Sequence, residues 1–259
     1  MTLPWSGQLD MSLVNSEFGW GFDMGAYAGR QWWTDDNQTG YFSTSNFGMY
    51  EFYGKRATPP IAPGVRVFEY TGVWSGLNTS VNLGAEDPKR YIVVAVQSRR
   101  TATTTVNHTG CTVNGVVMTR VTTHGNNDIA DNEYNRASLF AGYVPTGTVV
   151  NSTVTASQTG SSSAQGIFRL VGDNVQVLQT AISGPSPTVF NVVPNSCIIA
   201  SASSSDQSGP ISITNLTRHY DVNGSGYTQS ACSRYDYAAA AHSIDRNRGL
   251  FCAASFYSP

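Results

Sequence analysis

The run Tyr91-Ile92-Val93-Val94-Ala95-Val96 limits the possible folds of this chain more than any other stretch. Its side chains are apolar without a break, so it has no polar side in either the helical or the strand period. It is also too short for a buried helix, and it reads as a strand covered on both faces. From Val65 onward the surrounding sequence alternates with period two and is rich in β-branched residues. The pattern predicts strands over Val65–Tyr70, Ser80–Leu83, Tyr91–Gln97, Thr101–Asn107, Val113–Thr122, Ser138–Tyr143 and Thr148–Ser157. It continues with Gln165–Val171, Val175–Ile182, Thr188–Val193, Cys197–Ser203, Ile211–Thr214, Arg234–His242 and Leu250–Phe256. Turn clusters punctuate them, among them Asn114-Gly115, Pro145-Thr146-Gly147 and Gly172-Asp173-Asn174. Short strands at this spacing, without helices between them, specify a mainly β protein. The expected form is an antiparallel β-sandwich, jelly-roll-like, preceded by a small N-terminal segment of short helices and loops.

That N-terminal segment follows other rules. Three phrases, Asp10–Gly19, Phe22–Gly29 and Asn46–Lys55, each pass through a few apolar side chains and close on or beside a glycine. In the first, Asp10 or Ser12 suits an N-cap and Gly19 a C′ position, which gives a helix of about two turns. Helices this short are marginal in water, so the apolar faces of the phrases are expected to need a surface to dock on. Trp5, Trp20, Trp32, Trp33 and Trp74 all lie in the first third of the chain. Trp and Tyr bury much area with few rotors and are enriched at protein contacts. They could pack on the β domain of the same chain, on a symmetry mate, on an external partner, or serve as a sugar platform. The marginal helices favour an external partner. The expected docking interface is Leu13, Val14, Phe18, Trp20, Tyr27, Trp32, Trp33, Phe47, Tyr50, Phe52 and Tyr53. Pro59, Pro60 and Pro63 then form an extended spacer. The expected organisation is a docking module over 1–56, a linker over 57–64 and a β-sandwich over 65–259.

Composition narrows the function. Charged residues make up 12% of the 259 and the net charge is -2, with Lys55 and Lys89 the only lysines. Such a chain carries no electrostatic footprint for nucleic acid, and its polar surface must come from Ser, Thr, Asn and Gln. No stretch approaches the roughly 20 apolar residues of a membrane span. Met1–Gly7 lacks the basic head and apolar run of a secretory signal, so synthesis in a cytoplasm is expected. Cys111, Cys197, Cys232 and Cys252 are too widely spaced for a zinc site. They are expected as buried free thiols, with one or two disulfides as the alternative.

Catalytic motifs are not found. Gly72-Val73-Trp74-Ser75-Gly76 puts its serine one place too late for a nucleophile elbow, and Gly54-Lys55 runs into Arg56 instead of Ser or Thr. His124–Glu133 is dense in oxygen ligands but lacks a calcium-loop pattern, and is expected as a solvated loop. His108, His219 and His242 are isolated in sequence. Asp35-Asp36 beside Trp32-Trp33 is the clearest place where acids adjoin a sugar-stacking surface, but adjacent acids rarely converge on one bond. The chain therefore reads as non-enzymatic, with no catalytic, metal or cofactor site.

Ser6-Gly7, Ser12-Leu13, Glu17-Phe18-Gly19 and Phe52-Tyr53-Gly54-Lys55 together resemble a module found at the N-terminus of many tailed-bacteriophage virion proteins. The second phrase departs from it, with Met24-Gly25-Ala26-Tyr27 in place of a serine-leucine opening. Arg90–Val96, Val113-Asn114-Gly115 and Ala141–Gly147 are more loosely similar to the β-sandwich that often follows. The resemblance implies a structural virion protein of the tail, fibre or capsid exterior, made in the host cytoplasm. It would be anchored by its N-terminal module to other virion proteins and would assemble as a homo-oligomer, a trimer by analogy with fibres. A host-receptor or glycan-binding module is the alternative, with a host-surface glycan as the further partner.

Overall fold

The computed structural model describes residues 3–4, 8–33, 39–45, 48–55, 64–101, 106–128, 133–158, 162–183, 187–204, 209–224 and 227–259. The chain divides between Ala62 and Pro63 into two units with separate cores. Residues 57–63 of the expected linker lie outside the described residues. Gly64 already belongs to the second unit. Its φ of 137° and its closeness to Asn195, where a Cβ would come within 2.2 Å of the Asn195 Cβ, both require glycine.

In the first unit, helix α1 spans Met11–Phe18. The Asp10 carboxylate accepts the amides of Ser12 (2.9 Å) and Leu13 (3.0 Å) at its start. Gly19, at φ 72°, closes it by donating to the Asn15 carbonyl. The second and third phrases form single 3₁₀ turns, Met24–Tyr27 and Met49–Phe52, not longer helices. A hairpin of β1 (Gln31–Trp33) and β2 (Thr39–Tyr41), absent from the sequence expectation, lies between them. The phrases were expected to need a surface to dock on, and the unit supplies that surface from within instead of from an external partner. Val14, Phe18, Tyr27 and Phe52 are buried together with Leu3 and Phe42, two residues outside the phrases. Their rings meet edge to face: Tyr27–Phe52 at 5.2 Å, Phe18–Phe42 at 5.4 Å and Phe18–Phe52 at 5.9 Å. The arm is fastened to the end of the unit by Leu3 N–H donating to Lys55 O and Gly54 N–H to Pro4 O. Loop closure thus supplies the contacts that the short helices lack.

The second unit is an antiparallel β-sandwich. Its first half contains β3 (Val67–Ser75), β4 (Asn78–Asn82), β5 (Arg90–Thr101), β6 (His108–Val113), β7 (Val116–Val117), β8 (Thr119–Asp128), β9 (Glu133–Tyr143), β10 (Val149–Ala156) and β11 (Ser162–Val171). They form a large sheet, β3-β11-β5-β9-β8, and a smaller one, β4-β10-β6-β7. This is the strand order of a jelly roll with β8 added at one edge. The second half contains β12 (Gln176–Ile182), β13 (Thr188–Val192), β14 (Ser196–Ser204), β15 (Thr217–Gly224), β16 (Tyr227–Asp236), β17 (Ala240–Ile244) and β18 (Leu250–Tyr257). It forms the sheets β12-β18-β14-β16-β15 and β13-β17. The large sheet repeats the first half's order strand for strand, and β13-β17 repeats β4-β10. The topology is therefore present twice, the second time without counterparts of β6 and β7 among the described residues.

The two large sheets face each other. β12 packs on β8, β18 on β8 and β9, β14 on β9 and β5, and β16 on β5 and β11. Tyr70 of β3 stacks on His219 and Tyr220 of β15. The strand orders thus run in opposite senses, and an approximate two-fold axis passes between β5 and β14. Equivalent residues occupy equivalent roles: Gly142 and Arg234 pair with Ile92 and Ile198, which makes Tyr143 the counterpart of Tyr235. The Tyr143 hydroxyl accepts from Val175 N–H just before β12, and the Tyr235 hydroxyl donates to Val65 O just before β3. Each half thereby holds the first strand of the other.

Alternation explains the layers. On β5, Val93 and Ala95 enter the core between the large sheets, while Ile92, Val94 and Val96 enter the core under β4-β10-β6-β7. On β14, Cys197 and Ile199 face the central core, and Ile198, Ala200 and Ala202 face the one under β13-β17. Toward one end the central layer becomes polar. Gln97 donates to Ser201 Oγ (2.7 Å) and accepts from the Tyr220 hydroxyl (2.7 Å), and Ser203 donates to Asn135.

Several local expectations are corrected. Residues 102–105 of the strand expected over Thr101–Asn107 lie outside the described residues, and the next strand starts at His108. Val113–Thr122 is broken by the Asn114-Gly115 turn, both residues having positive φ. Ile211–Thr214 contributes only one bridge, Ile213 to Arg246. Arg234–His242 spans the end of β16, a bend and the start of β17, while β15 was not expected at all. Polarity explains this last miss: Thr228, Gln229, Ser230 and Ser233 of β16 are buried and hydrogen-bonding, so no apolar alternation marks the hairpin.

Arg90, the first residue of β5, is fully buried. Its guanidinium donates to five carbonyls: Val144 (2.6 Å), Gly84 and Ala85 (3.1 Å each), Thr146 (2.8 Å) and Gly147 (2.7 Å). One side chain thus satisfies the backbone of two loops that would otherwise bury unpaired acceptors. Arg90→Met should lower the unfolding free energy by about 4 kcal/mol. Arg90→Lys, with three donors and no planar fork, should recover less than half of that. Guanidinium denaturation of the three proteins measures this, and a loss below about 1 kcal/mol in the methionine variant would remove the role assigned to the fork.

Candidate functional site

The end of β16 and the start of β3 together line a cleft. Along β16, Tyr235 points toward β3, and its ring stacks on Phe68 at 5.9 Å with planes 21° apart. The hydrogen bond to Val65 O (2.6 Å) fixes the hydroxyl end of that ring. Asp236 turns inward, its side chain 5% exposed, and accepts from Arg234 Nε (2.7 Å) and His242 Nε2 (2.9 Å). These contacts clamp the bend between β16 and β17. Tyr237 sits on that bend, 81% exposed, with its ring edge-on to Tyr235 at 4.9 Å. Arg66 and Val67 complete a cleft of about 360 Å³. The Arg66 guanidinium lies 3.9 Å from Asp173, whose other carboxylate oxygen is held by Lys89. The cleft therefore combines a preformed aromatic wall with a cation only partly neutralised. Its lining residues, Arg66, Val67, Phe68, Tyr235 and Tyr237, include no carboxylate and combine apolar faces with a few polar groups, as ligand sites do.

The histidines do not assemble a triad. His108 is buried between Ser138 (2.8 Å) and Ser98 (2.9 Å), and burial, with Arg136 and Arg120 nearby, lowers its pKa to about 3. His219 meets Ser233 at 2.6 Å and His124 meets Ser183 at 2.8 Å, and burial lowers the pKa of both. Among the described residues the serine-bound histidines meet no carboxylate, and His242, which meets Asp236, meets no serine. Cys111, Cys197, Cys232 and Cys252 are free and buried. Burial raises all four thiols, Cys111 and Cys232 to about 12, so none is poised as a thiolate. Among the described residues no group of three or more His, Cys, Asp or Glu could hold a metal ion, and no helix is long and apolar enough to cross a membrane. The stretch expected as a solvated loop, His124–Glu133, is instead two strand ends: 124–128 belong to β8 and Glu133 to β9. Residues 129–132 lie outside the described residues, as do Asp35 and Asp36.

The residues expected as a docking interface separate into two groups. Val14, Phe18, Tyr27 and Phe52 are consumed by the unit's own core, and Trp20 and Trp32 pack on its edge. Arg30 lies over Trp20 at 5.2 Å and Lys55 over Trp32 at 3.3 Å. Tyr53 is half-buried, while Leu13 and Tyr50 are exposed, the latter at 67%. Phe47 and the Trp33 side chain lie outside the described residues. Two exposed aromatics, Phe22 and Tyr41, were not among the expected residues. Nor were Phe68, Tyr235, Tyr237 and Arg66 of the cleft. The Tyr235-Asp236-Tyr237 alternation was the one sequence signal for them, and it does not reveal that β3 lies opposite.

The fold and these sites define a tandem jelly-roll sandwich with a small aromatic N-terminal unit. No protein-family model matches the chain, and neither a curated protein nor a solved structure does.

The buried histidines make a pH prediction. Below pH 6.5 the unfolded chain protonates His108, whereas the folded protein does so only near pH 3. The unfolded state thus binds more protons across that window, and stability should fall as the pH is lowered through it. In His108→Gln the slope of unfolding free energy against pH should flatten by up to about 1.4 kcal/mol per unit. Urea denaturation at pH steps between these limits reads it; parallel slopes in the two proteins would refute a neutral buried His108.

Proposed function

We propose that this protein is a non-enzymatic structural component of a tailed-phage virion. Its N-terminal unit anchors it to other virion proteins of the tail, fibre or capsid exterior, and its sandwich is the displayed part. One observation carries this reading: the first 62 residues fold around their own aromatic core and still leave Phe22, Tyr41 and Tyr50 between 67% and 69% exposed. Large exposed rings on so small a unit suit a contact surface, because they add apolar area at little entropic cost. The resemblance of Glu17-Phe18-Gly19 and Phe52-Tyr53-Gly54-Lys55 to the phage module supports the same reading. The anchor is therefore assigned to these exposed rings, and Val14, Phe18, Tyr27 and Phe52 hold the unit together behind them. The homo-oligomer, a trimer by analogy with fibres, belongs to this proposal. Contact with a host-surface glycan is a second reading, favoured by the aromatic cleft of the sandwich.

A chain beginning at Gly64 should melt as a folded sandwich yet be missing from purified particles. The triple variant Phe22→Ser, Tyr41→Ser, Tyr50→Ser should keep the parent melting temperature and lose most of its incorporation. Quantitative immunoblots of particles measure both. Normal occupancy by the shortened chain would defeat the anchoring role, and normal occupancy by the triple variant would reject these three rings as the contact.

A further inference from the structure

We infer that the cleft of Arg66, Phe68, Tyr235 and Tyr237 binds an acidic saccharide. Three features of the cleft converge on that chemistry. The first is a ring face on offer: Tyr237 is 81% exposed, yet it is held by Tyr235 at 4.9 Å and by the clamped bend beneath it. An exposed aromatic on a fixed backbone is preorganised, so a ligand that covers it meets little ordering cost. The C–H face of a sugar ring is a flat apolar surface of matching size, and aromatic residues with one wet edge suit such half-polar ligands.

The second feature is charge. In a chain with 12% charged residues, Arg66 and Lys89 stand together with Asp173 between them, which leaves one positive charge in excess. At 3.9 Å from Asp173, Arg66 makes a loose pair, and its planar fork matches a carboxylate in two-point contact. The third is size. About 360 Å³ is at the low end for ligand sites and suits one or two sugar rings. A peptide would call for a pocket to take an apolar side chain, whereas the hydroxyl of Tyr235, fixed to Val65 O, places a polar atom at the cleft wall.

This assignment rests on the glycan reading of the cleft, which it narrows to acidic sugars, and not on the anchoring role. The sandwich could bind saccharide whatever the N-terminal unit does, and Tyr237→Ala should leave particle incorporation unchanged. The test is calorimetric titration of the full chain with tetrasaccharides containing glucuronate, galacturonate or sialic acid, beside neutral maltotetraose and hexaglutamate. At least one acidic tetrasaccharide should bind saturably and weaken as salt is raised. Tyr237→Ala and Arg66→Gln should each reduce that affinity about tenfold or more, with Arg66→Lys in between. Melting curves confirm that the variants are folded; Tyr237→Phe, which keeps the ring, should retain binding if the ring face is the contact. The inference is overturned if no acidic tetrasaccharide binds saturably, or if Tyr237→Ala and Arg66→Gln bind like the parent. Equal affinity for maltotetraose would remove the charge selectivity, and equal affinity for hexaglutamate would make the site a general anion or peptide site. Either result overturns it.

Discussion

β5 and β14 lie across the centre of the sandwich, and each must bury side chains on two faces. A strand with Ile92, Val94 and Val96 on one side and Val93 and Ala95 on the other cannot sit in a two-layer sandwich with one face in water. The structure meets this demand with four layers. The two large sheets cover each other's inner faces, and each carries a smaller sheet on its outer face. The repeated strand order makes this arrangement self-consistent: each half is one jelly roll whose large sheet is the lid of the other. Tyr143 and Tyr235, by bonding to the backbone just before the other half's first strand, tie the halves at equivalent points.

The central layer changes character along its strands. At one end of the central layer the side chains are apolar, and at the other Gln97, Ser201, Tyr220, Ser203 and Asn135 bond across it. Such a network gains little net stability over an apolar core, but its directional bonds discriminate against shifted registers. The two halves differ at the cleft, because the residue after Tyr235-Asp236 is an exposed tyrosine. After Tyr143, Val144 turns into the core and the chain continues to Pro145. The exposed ring of the cleft thus belongs to one half of the doubled topology.

The N-terminal unit illustrates how a sequence can be read correctly in its parts and wrongly as a whole. The Asp10 cap, the helix from Met11 and the Gly19 stop were all legible, since capping depends on neighbours in sequence. The fate of the aromatic faces was not. Leu3 and Phe42, distant from the phrases they cover, close the core, and their contribution is invisible until the loop is closed. Residues that looked like one docking surface therefore separate into a buried set and an exposed set.

The amino-acid sequence alone determined the mainly β class, the jelly-roll expectation and the position of most strands of the first half. These follow from alternation, two-faced apolar runs and turn residues, which act over a few neighbours. It also determined the low charge and the scarcity of catalytic motifs. Only the tertiary structure decided the doubling of the topology, the polar half of the central layer and the cleft. Each of these depends on pairs such as Gln97 with Ser201 or Phe68 with Tyr235, more than a hundred residues apart. A buried serine or glutamine looks like surface in the sequence, because it is the distant partner that makes its burial affordable.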